Sequence, residues 1–162
     1  MPTDDVDTVF RDAMASLASG VAVLTARRDD GAGCGLVATS LAAYSARPPS
    51  VMVSIGHTSR CHQALADGAE FGVHLLAAGQ EDIAHVFADP RTEDKFTGVE
   101  WDWDGATPAL SGTLVYLRCR RSARFDLYDH TILIGDVMHG HRGRGEPLVY
   151  LERHMGWRLS AG

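Results

Sequence analysis

The chain has 162 residues, 45% of them hydrophobic and 22% charged, which suits one packed domain and argues against disorder. Its 15 Lys and Arg against 21 Asp and Glu give a formal charge of −6, which argues against nucleic acid or an anionic membrane as the main partner. Three widely spaced cysteines (Cys34, Cys61 and Cys119) form no CxxC pair, the acidic start has no leader-like apolar stretch, and no apolar run approaches the ~18 residues of a membrane span, so a cytoplasmic protein is expected.

Asp4 to Ser19 reads as an amphipathic helix, with Val6, Phe10, Met14 and Leu17 on one face and Gly20 as its stop. The period then changes. Val21–Thr25 and Gly35–Ala38 are short β-rich stretches flanking the turn Arg28-Asp29-Asp30-Gly31, the pattern of a hairpin. Val51–Ile55 is a further strand after Pro48-Pro49. Thr58 or Ser59 can cap a short helix to Ala66, Phe71–Leu76 is a strand, and Glu81–Ala88 a second short helix.

Asp89 to Leu110 contains Pro90, Gly98, Gly105 and Pro108 and reads as irregular, a length that usually marks function or a partner contact. Leu114–Arg124 and Thr131–His141 form a long strand pair around a turn at Asp126–Asp129. Leu148–Leu151 and Gly156–Leu159 close the chain. Many short strands with a few helices predict a mainly β single domain spanning 1–162, a small barrel with peripheral helices.

Four segments carry polar chemistry. Ala38-Thr39-Ser40-Leu41 follows a strand, where two hydroxyls and free backbone can hold a flat heterocycle or merely cap a turn. Gly56-His57-Thr58-Ser59-Arg60 precedes a short helix and combines N–H groups, hydroxyls and a guanidinium that can fork onto phosphate, although a simple N-cap fits too. Tyr128-Asp129-His130-Thr131 puts a histidine at a strand start, able to hydrogen-bond an amide or donate a proton, or to sit in a turn without chemistry. Lys95-Phe96 offers a cation and a ring to cover a ligand, or a solvated lysine beside a buried aromatic.

Other signals are weaker. His139 and His141 share a strand face but have no third ligand, so no metal site is expected. Cys61-His62 lacks the context of a thiol nucleophile. Gly31–Gly35 resembles half a dinucleotide loop but has no βαβ unit around it.

Taken in order, Ser19–Ala26, Gly35–Leu41, Pro48-Pro49 with Val51–Val53, Phe71–Leu76, Lys95-Phe96, Asp129–Val137 and Pro147–Tyr150 resemble the flavin reductase family with the FMN-binding split β-barrel fold. The resemblance covers about residues 10–159 and implies a homodimer that serves as the reductase of a two-component monooxygenase. It implies that Ala38, Thr39, Ser40 and Leu41 hold the isoalloxazine edge. It further implies that Gly56, His57, Thr58, Ser59 and Arg60 bind phosphate and that Lys95 and Phe96 close over the flavin tail. Tyr128, Asp129 and His130 would meet the nicotinamide, with His130 the catalytic residue. Two positions depart from the family: Tyr128 replaces the glycine of a Gly-Asp-His motif, and His74 replaces a common Asn that would face the flavin.

The implied reaction is hydride transfer from NADH (NADPH less favoured) to FMN or FAD, which needs stacking and preorganised donors rather than a strong acid or base. Reduced flavin would then diffuse to a partner monooxygenase. The alternatives are another split-barrel flavoenzyme, of the pyridoxamine-phosphate-oxidase type, and a non-catalytic flavin-binding protein.

Overall fold

The β-rich stretches become strands, and short turns between them dictate antiparallel pairing. The computed structural model describes residues 5–161. The first half runs α1 (Val6–Ala15), β1 (Ser19–Gly20), β2 (Ala22–Arg27), β3 (Gly33–Ala38), β4 (Ala42–Ala46), β5 (Pro49–Gly56), α2 (His62–Asp67) and β6 (Glu70–Leu75). The second half runs α3 (Glu81–Ala88), β7 (Trp101–Asp104), β8 (Thr107–Leu110), β9 (Val115–Leu127), β10 (His130–Arg142), β11 (Val149–Leu151) and β12 (His154–Trp157).

Seven strands form the main sheet, in the order β3-β2-β6-β9-β10-β5-β4, antiparallel throughout. Laid flat, six spacings of about 4.8 Å would part its edges by about 29 Å. Yet the edge strands β3 and β4 are joined only by Thr39, Ser40 and Leu41, a link that reaches at most about 14 Å from Ala38 to Ala42. The sheet must therefore curl until its edges meet. Ser40 closes the seam: its hydroxyl donates to the Ser54 carbonyl at 3.0 Å and accepts from the Ser54 N–H at 3.1 Å.

Curling creates an inside and an outside, and both are buried along β2. Leu24 joins Val53, Ile55, Phe71 and Leu133 in one apolar cluster, while Val23 joins Val21, Leu76, Phe87 and Leu148 in a second beneath α3. This is why β2 reads as a continuous apolar run instead of alternating. Gly35 lets α3 approach β3: a Cβ there would lie 2.6 Å from Phe87 and 2.9 Å from the Leu24 carbonyl oxygen.

The expected hairpin forms with Ala22 opposite Ala38, and the long pair β9–β10 extends to 13 residues per strand. Other expectations change. The helix expected from Asp4 to Ser19 is confined to α1 among the described residues, Asp4 lying outside them, and Ser19 belongs to β1. Its apolar face is exposed, Val6 by 78% and Phe10 by 61%. β4 was not anticipated. The stretch expected to be irregular contains the hairpin β7–β8, whose pairing tolerates Pro108 and turns at Gly105, where φ is +63°.

The β9–β10 turn carries an unusual residue. Tyr128 has φ 54°, a left-handed conformation that costs a bulky residue about 1–2 kcal/mol. Its side chain is 91% exposed and gains nothing in return. Tyr128→Gly is therefore expected to raise the urea unfolding free energy by roughly 0.5–1 kcal/mol, part of the relief being offset by glycine's freer unfolded chain. A lower urea midpoint for the variant would contradict this.

Candidate functional site

The curled sheet leaves a cleft of about 590 Å³ between β3, β5, the turn after β5 and the loop following α3. That volume is ordinary for a small-molecule site. One wall is the length of β3 from Gly33 to Ala38, continued by Thr39 and Ser40. Opposite stand Ser54, Ile55 and Gly56, then Thr58, Ser59 and Arg60. Pro90, Glu93, Lys95 and Phe96 form the far side, and His130 stands at the rim beside Gly56.

The turn after β5 is built from local hydrogen bonds, Ser59 N–H to the Gly56 carbonyl at 3.2 Å and His62 N–H to the Ser59 carbonyl at 3.0 Å. The expected helix cap is displaced. α2 begins only at His62, with Cys61 at its N-cap, and it has six residues, so Thr58–Arg60 form a turn and not a helix N-terminus. Ser59 Oγ accepts from the Cys61 N–H at 3.2 Å, which leaves its proton free to donate. Arg60 Nη2 donates to the Pro90 and Thr92 carbonyls at 2.6 and 2.8 Å, tying the loop after α3 to this turn. No other hydrogen bond or ion pair of that guanidinium occurs among the described residues, so Nε and Nη1 remain available to a ligand.

Arg28, Arg60 and Lys95 concentrate positive charge at this cleft on a chain of formal charge −6. Lys95 Nζ donates to the Phe87 carbonyl at 2.7 Å; burial, reinforced by the charge of Arg60, pulls its ammonium pKa below the usual lysine value. Phe96 is buried against Phe87 and Trp101 and forms wall, not cover.

At the rim, the Asp129 carboxylate accepts from His130 Nδ1 at 2.8 Å, and this hydrogen bond holds the Asp129 pKa below the usual carboxylate range. The proton is thereby assigned to Nδ1, and Nε2 faces the cleft as an acceptor unless the ring is protonated.

Ala38, Thr39, Ser40, Gly56, Thr58, Ser59, Arg60, Lys95, Phe96 and His130 thus converge on one cleft. Five expected residues do not line it. Leu41 turns into the apolar cluster that contains Val53 and Ile55. His57 faces away, its Nε2 3.1 Å from Thr131 Oγ1. That hydroxyl also meets His62 Nε2 at 2.8 Å and donates to Asp126 at 2.5 Å. With its proton given to Asp126, the hydroxyl accepts from both imidazoles, so each carries its proton on Nε2. Tyr128 projects into solvent at the hairpin tip, and Asp129 acts only through His130.

His74 is the largest correction. It is fully buried in β6, its Nδ1 3.1 Å from the Val23 carbonyl and its Nε2 accepting from the Leu110 N–H at 3.0 Å. Both ring nitrogens are used, and the ring stacks on Tyr116 at 4.9 Å. Burial lowers its pKa to about 4, so it is a neutral structural strut between β2 and β8. The Ser40 hydroxyl is likewise committed, since its proton goes to Ser54.

Sequence reasoning missed Arg28, Cys34, Ser54, Cys61 and Glu93. The signal available for Arg28 and Cys34 was their place on the hairpin leading to Thr39, which puts them on the same strand edge.

Comparison with known proteins gives the chain a family. Residues 14–157 match the family described as flavin reductase like domain. FMN reductase (NADH) SmoA of Agrobacterium fabrum is 32% identical over 151 residues, which cover 93% of this chain and 85% of that protein. The structure of the styrene monooxygenase flavin reductase from Pseudomonas putida S12 superposes with a TM-score of 0.84 at 30% identity, covering 94% of this chain and 99% of that one. The Streptomyces globisporus NADH:FAD oxidoreductase SgcE6, solved in complex with NAD and FAD fragments, gives a TM-score of 0.88 at 27% identity, covering 99% and 96%.

Proposed function

Because the chain belongs to the family of flavin reductase-like domains, we propose that it is an NADH-dependent flavin reductase that reduces FMN or FAD in this cleft and supplies reduced flavin to a partner monooxygenase. The observation that carries the reading is the polarity of one cleft. Hydroxyls and a guanidinium stand at the Thr58–Arg60 end, uncommitted donors at Thr39, and a histidine of defined tautomer at the rim.

The residues fit a flavin. Thr58, Ser59 and the free edge of Arg60 match a phosphate. The β3 strand lines the cleft from Gly33 to Ala38, and Thr39 adds a hydroxyl and a backbone N–H beyond the last ladder pair of β3. Bound flavin supplies the hydride acceptor. The chain's own work is to hold the reactants in stacking distance and to place donors where negative charge develops. Thr39 and backbone N–H groups serve that role, since the Ser40 proton is spent on Ser54. His130, its Nδ1 proton directed to Asp129, presents Nε2 to accept from an N–H of the nicotinamide amide and fix its orientation.

The curled sheet supports the reading of a split barrel. The exposed face of α1, with Val6, Phe10 and Met14 and with Leu17 just beyond its end, is suited to burial against a second copy in a homodimer. Phosphate and isoalloxazine are common to FMN and FAD, so this cleft accepts both. No helix of the described residues is long and apolar enough to cross a membrane.

The test is NADH oxidation by the purified protein with no flavin, with FMN and with FAD, followed by loss of reduced-nicotinamide absorbance. Turnover that requires added flavin is expected, with flavin behaving as an exchangeable substrate. Absence of turnover with both flavins and both nicotinamides overturns the proposal.

A further inference from the structure

Two histidines and an aspartate from separate parts of the chain converge outside the cleft. His57 lies in the turn after β5, His62 opens α2, and Asp126 stands near the end of β9. The ligating atoms these three side chains offer lie within 4.8 Å of one another. His57 Nε2 and His62 Nε2 are 3.1 and 2.8 Å from Thr131 Oγ1 on β10, and that hydroxyl donates to Asp126 Oδ1. The rings meet edge to face with centroids 4.9 Å apart, so both nitrogens reach one point. His57 Nε2 and Asp126 Oδ1 are 4.0 Å apart. None of these four residues lines the cleft.

The charges around the cluster favour a cation. Arg124 Nη2 donates to Asp126 Oδ2 at 2.8 Å and to Oδ1 at 3.0 Å, while its Nη1 donates to Asp67 at 2.7 Å. Asp67 and Asp126 therefore leave one negative charge beyond the guanidinium. Arg124 can stay on Oδ2 and Asp67 when Oδ1 turns to a metal. Burial, then the neighbouring His57, lowers the His62 pKa, and the neutral imidazole is the form that ligates. Two imidazoles with one carboxylate suit zinc and its transition-metal neighbours, whereas magnesium and calcium prefer all-oxygen shells.

We propose that His57, His62 and Asp126 bind one zinc-class divalent ion, which clamps the turn after β5 to the β9–β10 hairpin. Tetrahedral zinc holds its ligands at about 2.0–2.2 Å, so the ligand atoms stand about 3.3 Å apart. The 4.0 Å gap between His57 and Asp126 closes by rotation of two solvent-exposed side chains. Each imidazole moves its proton from Nε2 to Nδ1 and turns the freed lone pair to the metal. Thr131 keeps its proton on Asp126 and orients that carboxylate from outside the coordination sphere. Water is the fourth ligand.

The experiment titrates zinc into the untagged, metal-stripped full chain in competition with a chromophoric chelator of micromolar affinity. One zinc per chain is expected, and a large excess of magnesium does not displace it. His57→Ala and His62→Ala each weaken zinc binding about 30-fold or more, and Asp126→Asn about ten-fold. The double variant His139→Ala with His141→Ala binds like the parent, because no convergent group among the described residues includes them. Cobalt in place of zinc gives the visible d–d band of a four-coordinate ion without thiolate charge transfer, a signature read on the parent fold itself. Zinc at roughly one hundred times its Kd raises the urea midpoint of the parent and leaves His57→Ala unmoved. Failure to take zinc from the chelator overturns the site, as does undiminished affinity in any of the three ligand variants. Loss of binding in the double variant, or thiolate charge transfer with cobalt, places the metal elsewhere and overturns it too. Zinc that binds without raising the midpoint overturns the clamp.

Discussion

Replacing Arg60 with alanine is expected to raise the KM for FMN about 30-fold while changing the KM for riboflavin by less than about three-fold. The guanidinium has two edges. Nη2 is spent on the Pro90 and Thr92 carbonyls, and what remains faces the cleft beside Thr58 and Ser59. A charge-assisted pair of hydrogen bonds to a phosphate is worth about 1.5–3 kcal/mol, which brackets the 30-fold change. Riboflavin lacks the phosphate and so isolates the other role of Arg60, holding the loop that carries Lys95 and Phe96. Steady-state kinetics with both flavins separates the two. Equal losses on FMN and riboflavin would mean that Arg60 acts only on the loop and that phosphate binds elsewhere. Arg60→Lys keeps the charge but loses the fork, so an intermediate FMN KM is expected.

The parts of the fold legible in the sequence were those set by local chemistry. Arg28-Asp29-Asp30-Gly31 announces a turn, and β2 and β3 pair around it as the expected hairpin. α3 was legible because Ile83, Val86 and Phe87 recur at helical spacing, and in the structure Phe87 is buried together with Ala84. Residues whose meaning depends on a distant partner were not. The face of α1 has helical periodicity, but periodicity does not say what covers it, and among the described residues nothing does. The hairpin β7–β8 hid behind Gly105 and Pro108, which mark breaks in a lone strand but are tolerated in a two-stranded edge pair.

The same division runs through the site. Thr39, Thr58, Ser59 and Arg60 were legible because they end strands or build turns that must face the cleft. His57 directly precedes Thr58 in the turn after β5, yet its ring turns to Thr131 and His62 and does not line the cleft. Ser40 reaches the cleft, yet its hydroxyl proton is consumed by the seam that the short β3–β4 link imposes. Cys34 and Cys61 line one cleft only because the sheet curls, which no local pattern reports.

His74→Ala is expected to cost about 3–5 kcal/mol of stability and to abolish a pH dependence that the parent protein shows. Truncation strands the Val23 carbonyl and the Leu110 N–H in the core at about 1–3 kcal/mol each and leaves a cavity beside Tyr116. The pH effect follows from the folded pKa of about 4, below the ordinary histidine value of 6.5. Between these two values the unfolded chain binds a proton that the folded chain refuses, so the stability contributed by neutral His74 is complete above pH 6.5. It is lost as pH falls toward 4. From pH 7 to pH 5 the loss from this one group is about 2 kcal/mol. Urea denaturation at the two pH values reads it directly. The parent should lose about 2 kcal/mol more than the variant over that interval, because titration of the other histidines is common to both. Should the two proteins lose the same amount, His74 would have to be solvated or charged in the folded state, and its place as a strut between β2 and β8 would be wrong. A neutral histidine there also keeps the cleft independent of it: His74→Ala assayed at a temperature where it remains folded should retain the parent KM for FMN within about two-fold, since neither ring nitrogen reaches the ligand side of the sheet.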